Sequence, residues 1–170
     1  MINKYEITNE VHPRNCRLRR IRALRDIPRY RVRAGDLGGY VESEKNLDQE
    51  GYCWVGNNAS VYEGARVSGD ALVSGEAWVY GNASVYEDAL VSRNAYVCGN
   101  ARVSGKAYVY GDAYVSGNAR VYGNAWVSGE AWVYDDAEVS DYARVSEDAL
   151  VYDDAKVSGS TTVSGDEHVS

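Results

Sequence analysis

Few residues in this chain are suited to chemistry. There are two histidines, His12 and His168, and three cysteines, Cys16, Cys53 and Cys98. The histidines lie near opposite ends, so neither reads as part of a Ser-His or Cys-His pair, whose members must come within hydrogen-bond reach. Three cysteines at no metal-like spacing argue against a disulfide framework and against a thiolate zinc site. A reducing, cytosolic setting is then expected. Leu37-Gly-Gly-Tyr40 reads as a turn rather than a loop that cradles phosphate. Carboxylates are the abundant group: Glu130, Asp135, Asp136, Glu138, Asp141, Glu147, Asp148, Asp153 and Asp154 crowd one stretch, opposed only by Arg144. Such a cluster suits docking on a basic protein, mimicry of a phosphate backbone or a divalent cation; the plain alternative is a solvated surface. No catalytic, cofactor-binding or metal-ligating residue is assigned, and the expectation is a protein that is not an enzyme.

A repeat sets where these residues stand. From Ala59 the chain reads Ala-x-Val every six residues, through Ala65-Arg-Val67 and Ala71-Leu-Val73 to Ala155-Lys-Val157. Stepping by six from 59 to 155 gives 17 consecutive units, with Cys53-Trp-Val55 before them and the weaker Thr161-Thr-Val163 and Glu167-His-Val169 after. Each Val is followed by Ser or Tyr in nearly every unit, then usually by two residues from Gly, Asn, Asp and Glu. Ala and Val are two apart and face one side of an extended chain, while x faces the other. The corner residues tolerate positive φ and bond their own backbone. Each unit is therefore expected to hold a strand of three to four residues and one corner. Three units close a triangle, and coils stack by parallel pairing about 4.8 Å apart.

This pattern resembles the left-handed parallel β-helix of hexapeptide-repeat proteins, on stretches such as Val61-Tyr-Glu-Gly-Ala65-Arg and Val121-Tyr-Gly-Asn-Ala125-Trp. The resemblance covers roughly residues 35–170 and implies an all-β solenoid of about six to seven coils. The left hand is implied by the resemblance alone, since crossovers in general favour the right hand. Many such proteins are acyltransferases or zinc carbonic anhydrases. The transferases use a histidine beside a protruding loop and the anhydrases three histidines on zinc; the uninterrupted hexads here offer neither, and fold does not imply function. The lead-in Ala34-Gly-Asp-Leu-Gly-Gly-Tyr-Val-Glu-Ser-Glu-Lys-Asn-Leu, with Arg20-Ile-Arg-Ala-Leu-Arg-Asp before it, is similar to uncharacterised hexapeptide-repeat proteins of phage and prophage genomes. That similarity implies the cytoplasm of an infected bacterial host.

Residues 18 apart share a face. The first face carries Ser60, Trp78, Tyr96, Tyr114, Trp132, Leu150 and His168, with Tyr62, Tyr80, Cys98, Tyr134 and Tyr152 in the row after the valines. The second carries Trp54, Leu72, Leu90, Tyr108, Trp126, Arg144 and Thr162; the third carries Arg66, Ser84, Arg102, Arg120, Glu138 and Lys156. The rings of the first face, Trp78, Tyr80, Tyr96, Tyr114, Trp132, Tyr134 and Tyr152, either form ladders that steady neighbouring coils or make an interface. Arg66, Arg102 and Arg120 are candidate contacts for a small anion held between subunits. Asp135-Asp136 and Asp153-Asp154 stack on one corner, and Glu147-Asp148 stand on another.

Residues 1–34 differ in composition. The first 35 residues hold ten bases and three acids, which leaves eight bases and 22 acids of the chain's 18 and 25 for the remainder. The charge is therefore +7 on the amino-terminal segment and −14 on the repeat. Residues 1–34 are expected to cap the open end of a helix formed by residues 35–170, as a hairpin or a short helix. The first residues lack an apolar signal core and no window is long enough to span a membrane. The functional expectation is a protein-binding module, a phage inhibitor of a host protein with a basic surface, acting through acidic corners and an aromatic face. Self-assembly and sequestration of a small anion are the alternatives. A homodimer or homotrimer is expected, and stable nucleic-acid binding by the acidic helix is not.

Overall fold

The computed structural model describes residues 3–170. The repeat folds as a parallel β-solenoid of about seven coils. Its three sheets follow the faces predicted from 18-residue spacing: Trp78 pairs with Tyr96, Tyr108 with Trp126, and Arg102 with Arg120. Every valine from Val55 to Val163 is buried, with the alanines of the same units beside it, so two small residue types fill the prism.

The strands are shorter than expected. Each is two residues, the x residue and its valine. The alanine amide is drawn into the corner instead: Ala65 N–H donates to the Tyr62 carbonyl at 3.2 Å, while the Ala65 unit's next amide, Arg66 N–H, reaches the Ala83 carbonyl one coil on at 2.9 Å. The first corner residue takes positive φ at each turn, for example Gly81 at 71° and Gly99 at 67°. A Cβ at Gly81 would meet the Gly99 amide nitrogen at 2.9 Å, so stacked corners favour glycine sterically as well. Acidic residues occupy this left-handed position at Glu63, Glu87, Asp135, Asp141, Glu147 and Asp153, where an L residue costs about 1–2 kcal/mol.

Among the amino-terminal alternatives, the structure has the hairpin: β1 (Tyr5–His12) pairs antiparallel with β2 (Asn15–Ala23), and β2 pairs antiparallel with β3 (Leu37–Val41). β3 in turn runs parallel to Ser60–Val61, so the hairpin extends the first sheet. The turn expected at Leu37-Gly-Gly-Tyr40 is instead this strand β3. Its glycines are there for close approach: a Cβ on Gly39 would lie 2.4 Å from the Ala59 carbonyl oxygen and 2.7 Å from Val55 Cγ1.

Side chains tie the segment to the first coil. The buried Asn46 amide donates to the carbonyls of Glu63 and Ala65 at 3.0 and 2.9 Å. Tyr5 Oη donates to the Leu47 carbonyl at 2.7 Å, and burial pushes its phenol pKa well up. The buried Lys4 Nζ reaches the Glu50 carbonyl at 2.9 Å and Cys53 Sγ at 3.0 Å. Arg29 bridges Asp70 and Asp88 on neighbouring coils, and Tyr30 Oη bonds the Asp70 carbonyl.

Candidate functional site: an aromatic face framed by acids

The first face is not uniform along its length. Near the amino terminus it is occupied by the chain itself. His12, at the end of β1, lies edge-on to Tyr40 at 4.6 Å and to Trp78 at 5.5 Å between centroids. These two rings flank Ser60 in register, so a serine stands where the row elsewhere is mostly large. The small side chain leaves room for the imidazole, and its hydroxyl is buried without a hydrogen-bond partner. His12 Nδ1 accepts the Arg14 amide at 3.1 Å. Burial lowers its pKa, and the guanidinium charges of Arg14 and Arg20 lower it further. Sequence reasoning placed His12 outside the helix; the one signal that could have placed it was the gap at Ser60.

The middle of the face is a ladder. Tyr62 and Tyr80 stack at 5.2 Å, Tyr96 and Tyr114 lie 6.0 Å apart, and Tyr114 and Trp132 5.0 Å apart. Cys98 is buried and its sulfur contacts Tyr114 Oη at 3.1 Å. Burial raises the Tyr80 pKa, and the neighbouring Tyr114 and Cys98 raise it further. Trp78, Tyr80 and Tyr114 are therefore partly buried in the protein's own packing, whereas Tyr96 is 38% exposed.

The far end is different again. Trp132 is 48% exposed. Tyr134 and Tyr152 stack at 5.4 Å with planes 12° apart. Each is followed directly by an aspartate pair, Asp135-Asp136 and Asp153-Asp154, all exposed. The strands of these two coils are entered past Glu130 on one coil and Glu147-Asp148 on the next. The panel of Trp132, Tyr134, Leu150 and Tyr152 is thus bordered by carboxylates on both sides. Burial raises the Tyr134 pKa, as do the neighbouring Tyr152, Asp135 and Asp153.

These acids do less structural work than others. Glu63, Glu87 and Asp141 each accept the corner amide one coil on, at Gly81, Gly105 and Gly159 and at 2.9, 2.6 and 3.0 Å. That bond offsets part of their backbone cost. Asp136 ends a ladder in which Asn118 Nδ2 donates to its carboxylate at 3.0 Å. Among the described residues, the carboxylates of Asp135, Glu147, Asp148, Asp153 and Asp154 have no ion-pair or hydrogen-bond partner. Nor do three carboxylates, thiols or imidazoles converge as metal ligands would, so the geometry lends the cation alternative no support.

The other faces carry lesser features. On the second, Arg144 lies over the Trp126 ring at 5.4 Å. On the third, Arg102 and Arg120 are adjacent and Arg66 is separated from them by Ser84, so the three predicted anion contacts do not form one cluster. Arg120 faces Glu138 at 3.7 Å.

The fold and the outward rows define a repeat β-solenoid protein. A family described as the YdcK beta solenoid repeat matches residues 65–81, 95–111 and 113–129, so the chain is similar to that family across its central coils. No curated protein matches the chain. The matched stretches stop before the panel at Trp132 and its acidic borders. Among the described residues no helix is long and apolar enough to cross a membrane.

Proposed function

We propose that this protein is a non-enzymatic binding module that grips a partner protein through the Trp132, Tyr134 and Tyr152 panel and the acids on both sides of it. The observation that carries this reading is the unpartnered state of Asp135, Glu147, Asp148, Asp153 and Asp154 beside the exposed Trp132 and the half-buried Tyr134–Tyr152 stack. Three of them also occupy a strained left-handed backbone position without the compensating bond made at Glu63, Glu87 and Asp141. Strain and charge repulsion kept without local repayment suit a functional surface. Aromatic anchors with a charged rim are the usual anatomy of a protein interface. A partner with a basic surface around an apolar patch complements it, and the acidic field speeds their encounter.

The resemblance of the lead-in to phage and prophage proteins supports a partner from the bacterial host, with inhibition as the outcome. The test is affinity capture from bacterial lysate with the wild-type chain and a Trp132→Ala/Tyr152→Ala variant of equal thermal stability. A single protein retained in stoichiometric amount by the first and lost by the second supports the reading. Equal retention by both removes the aromatic panel from it.

A further inference from the structure

On the third face, the row after the valines alternates. Tyr86, Ser104 and Tyr122 follow one another at one-coil steps. At the equivalent row of the first face, tyrosines on adjacent coils stack at 5.2 and 5.4 Å, as Tyr62–Tyr80 and Tyr134–Tyr152 do. Omitting one ring leaves roughly twice that spacing, about 10–11 Å, which admits one planar ring at ordinary stacking distance from both neighbours. Ser104 forms the floor, buried, and its hydroxyl makes no hydrogen bond among the described residues. Beside the gap, Arg102 and Arg120 stand in register on adjacent strands, a like-charge pair that repels. Arg102 has no acidic partner among the described residues, and Arg120 meets Glu138 only at 3.7 Å. Tyr86, Arg102, Ser104, Arg120 and Tyr122 line one surface cavity of about 250 Å³, below the range of drug-sized ligand sites.

We propose that this slot binds a free mononucleotide, with the base between Tyr86 and Tyr122 and the phosphate bridging Arg102 and Arg120. The inserted ring replaces the tyrosine missing from the ladder, and the phosphate removes the repulsion between the two guanidiniums while accepting charge-assisted hydrogen bonds. A base alone leaves Arg102 unmet, and a phosphate alone leaves the gap open. The net charge of −14 on the surrounding repeat, from 8 basic and 22 acidic residues after position 35, opposes a long polyanion and favours one nucleotide over a strand. The site lies on a different face from the acid-framed panel and does not depend on it. It is also complete within one chain, without Arg66 or a second subunit.

The test is calorimetric titration of the full chain with AMP, GMP, CMP and UMP, with adenosine and inorganic phosphate as half-ligands and a short single-stranded oligonucleotide as a third arm. At least one mononucleotide is expected to bind, each half-ligand on the order of tenfold more weakly. Ser104→Tyr supplies the missing ring and is expected to raise the melting temperature while abolishing binding. Arg102→Ala, at an exposed and unpaired position, is expected to weaken binding about tenfold with folding unchanged, which keeps the test valid should the tyrosine variant misfold. Absence of binding by all four nucleotides at about 1 mM overturns the proposal, as does undiminished binding by Arg102→Ala. An oligonucleotide that binds more tightly than its mononucleotide, with a steep salt slope, overturns the assignment to a free nucleotide.

Discussion

Tyr134 and Tyr152, one coil apart, stack with centroids 5.4 Å apart, and each hands the chain directly to a pair of exposed aspartates. Ring stacking stabilises neighbouring coils, while four carboxylates brought onto one corner oppose it. The same 18-residue period therefore produces a gain and a cost at adjacent positions. A repeat selected only for stability has Asn available at those corners, as the Asn82–Asn100–Asn118 ladder shows, where the amides bond at 3.2 and 3.0 Å. Acids replace that ladder near its end, and the proposed partner would offset their repulsion.

The core tolerates no charge. Val109 is fully buried in the middle of the solenoid. Val109→Asp places an unpaired carboxylate there and is expected to cost about 3–5 kcal/mol. Each coil contacts only its neighbours, so the damage should begin locally and spread along the stack. Chemical denaturation compared with wild type checks this, and equal midpoints would reject the packing scheme.

Two glycines separate crowding from backbone strain. Gly39→Ala drives a methyl group into the Ala59 carbonyl and Val55, and overpacking of that kind costs about 1–3 kcal/mol. Gly159 has φ of 65° but nothing within 4 Å of an added Cβ. Gly159→Ala therefore carries only the left-handed backbone cost, about 1 kcal/mol. Denaturation midpoints should rank wild type, Gly159→Ala, Gly39→Ala in falling order.

Docking of the hairpin should weaken in mild acid. The folded His12 pKa lies below its ordinary value of 6.5 because burial and the charges of Arg14 and Arg20 disfavour the imidazolium. The unfolded state thus binds the proton more readily, so this contribution is complete above pH 6.5 and is lost as pH falls below it. Trp78, which packs on His12, reports the change by fluorescence. His12→Asn should remove the step that begins below about pH 6.5; a step of the same size in that variant would assign it elsewhere.

Most of the fold was legible because a single six-residue period fixes burial, corner and register together. The faces read from 18-residue spacing match the pairing from Ser60–Trp78 to Leu150–His168. What was not legible came from contacts the period does not encode. His12 reaches the first face through an antiparallel hairpin whose register includes irregularities between Ile7 and His12. The Gly38-Gly39 pair looks like turn chemistry until Trp54 and Ala59 are seen against it. At the candidate site the residue types were readable and their pairing was not. Spacing alone could not tell that the Asp141 carboxylate accepts the Gly159 amide while the Asp135 carboxylate, among the described residues, accepts none.

Self-association through the first face is a separate expectation. Exposed Tyr96 and Trp132 belong to one continuous row, which closed symmetry would bury against its own copy. Light scattering at micromolar concentration should give two or three times the chain mass. A monomer would reject the oligomer and leave the whole row to a foreign partner.

The central claim is that the acids beside Tyr134 and Tyr152 carry recognition. It is tested most directly by measuring affinity for the captured partner across a salt series, with the wild-type chain and with Asp135, Asp136, Asp153 and Asp154 all changed to Asn. The account predicts that wild-type affinity falls as salt rises, and that the variant binds at least tenfold more weakly at low salt with a flattened salt dependence. Unchanged affinity together with an unchanged salt slope would contradict it and reduce the acidic corners to solubility features.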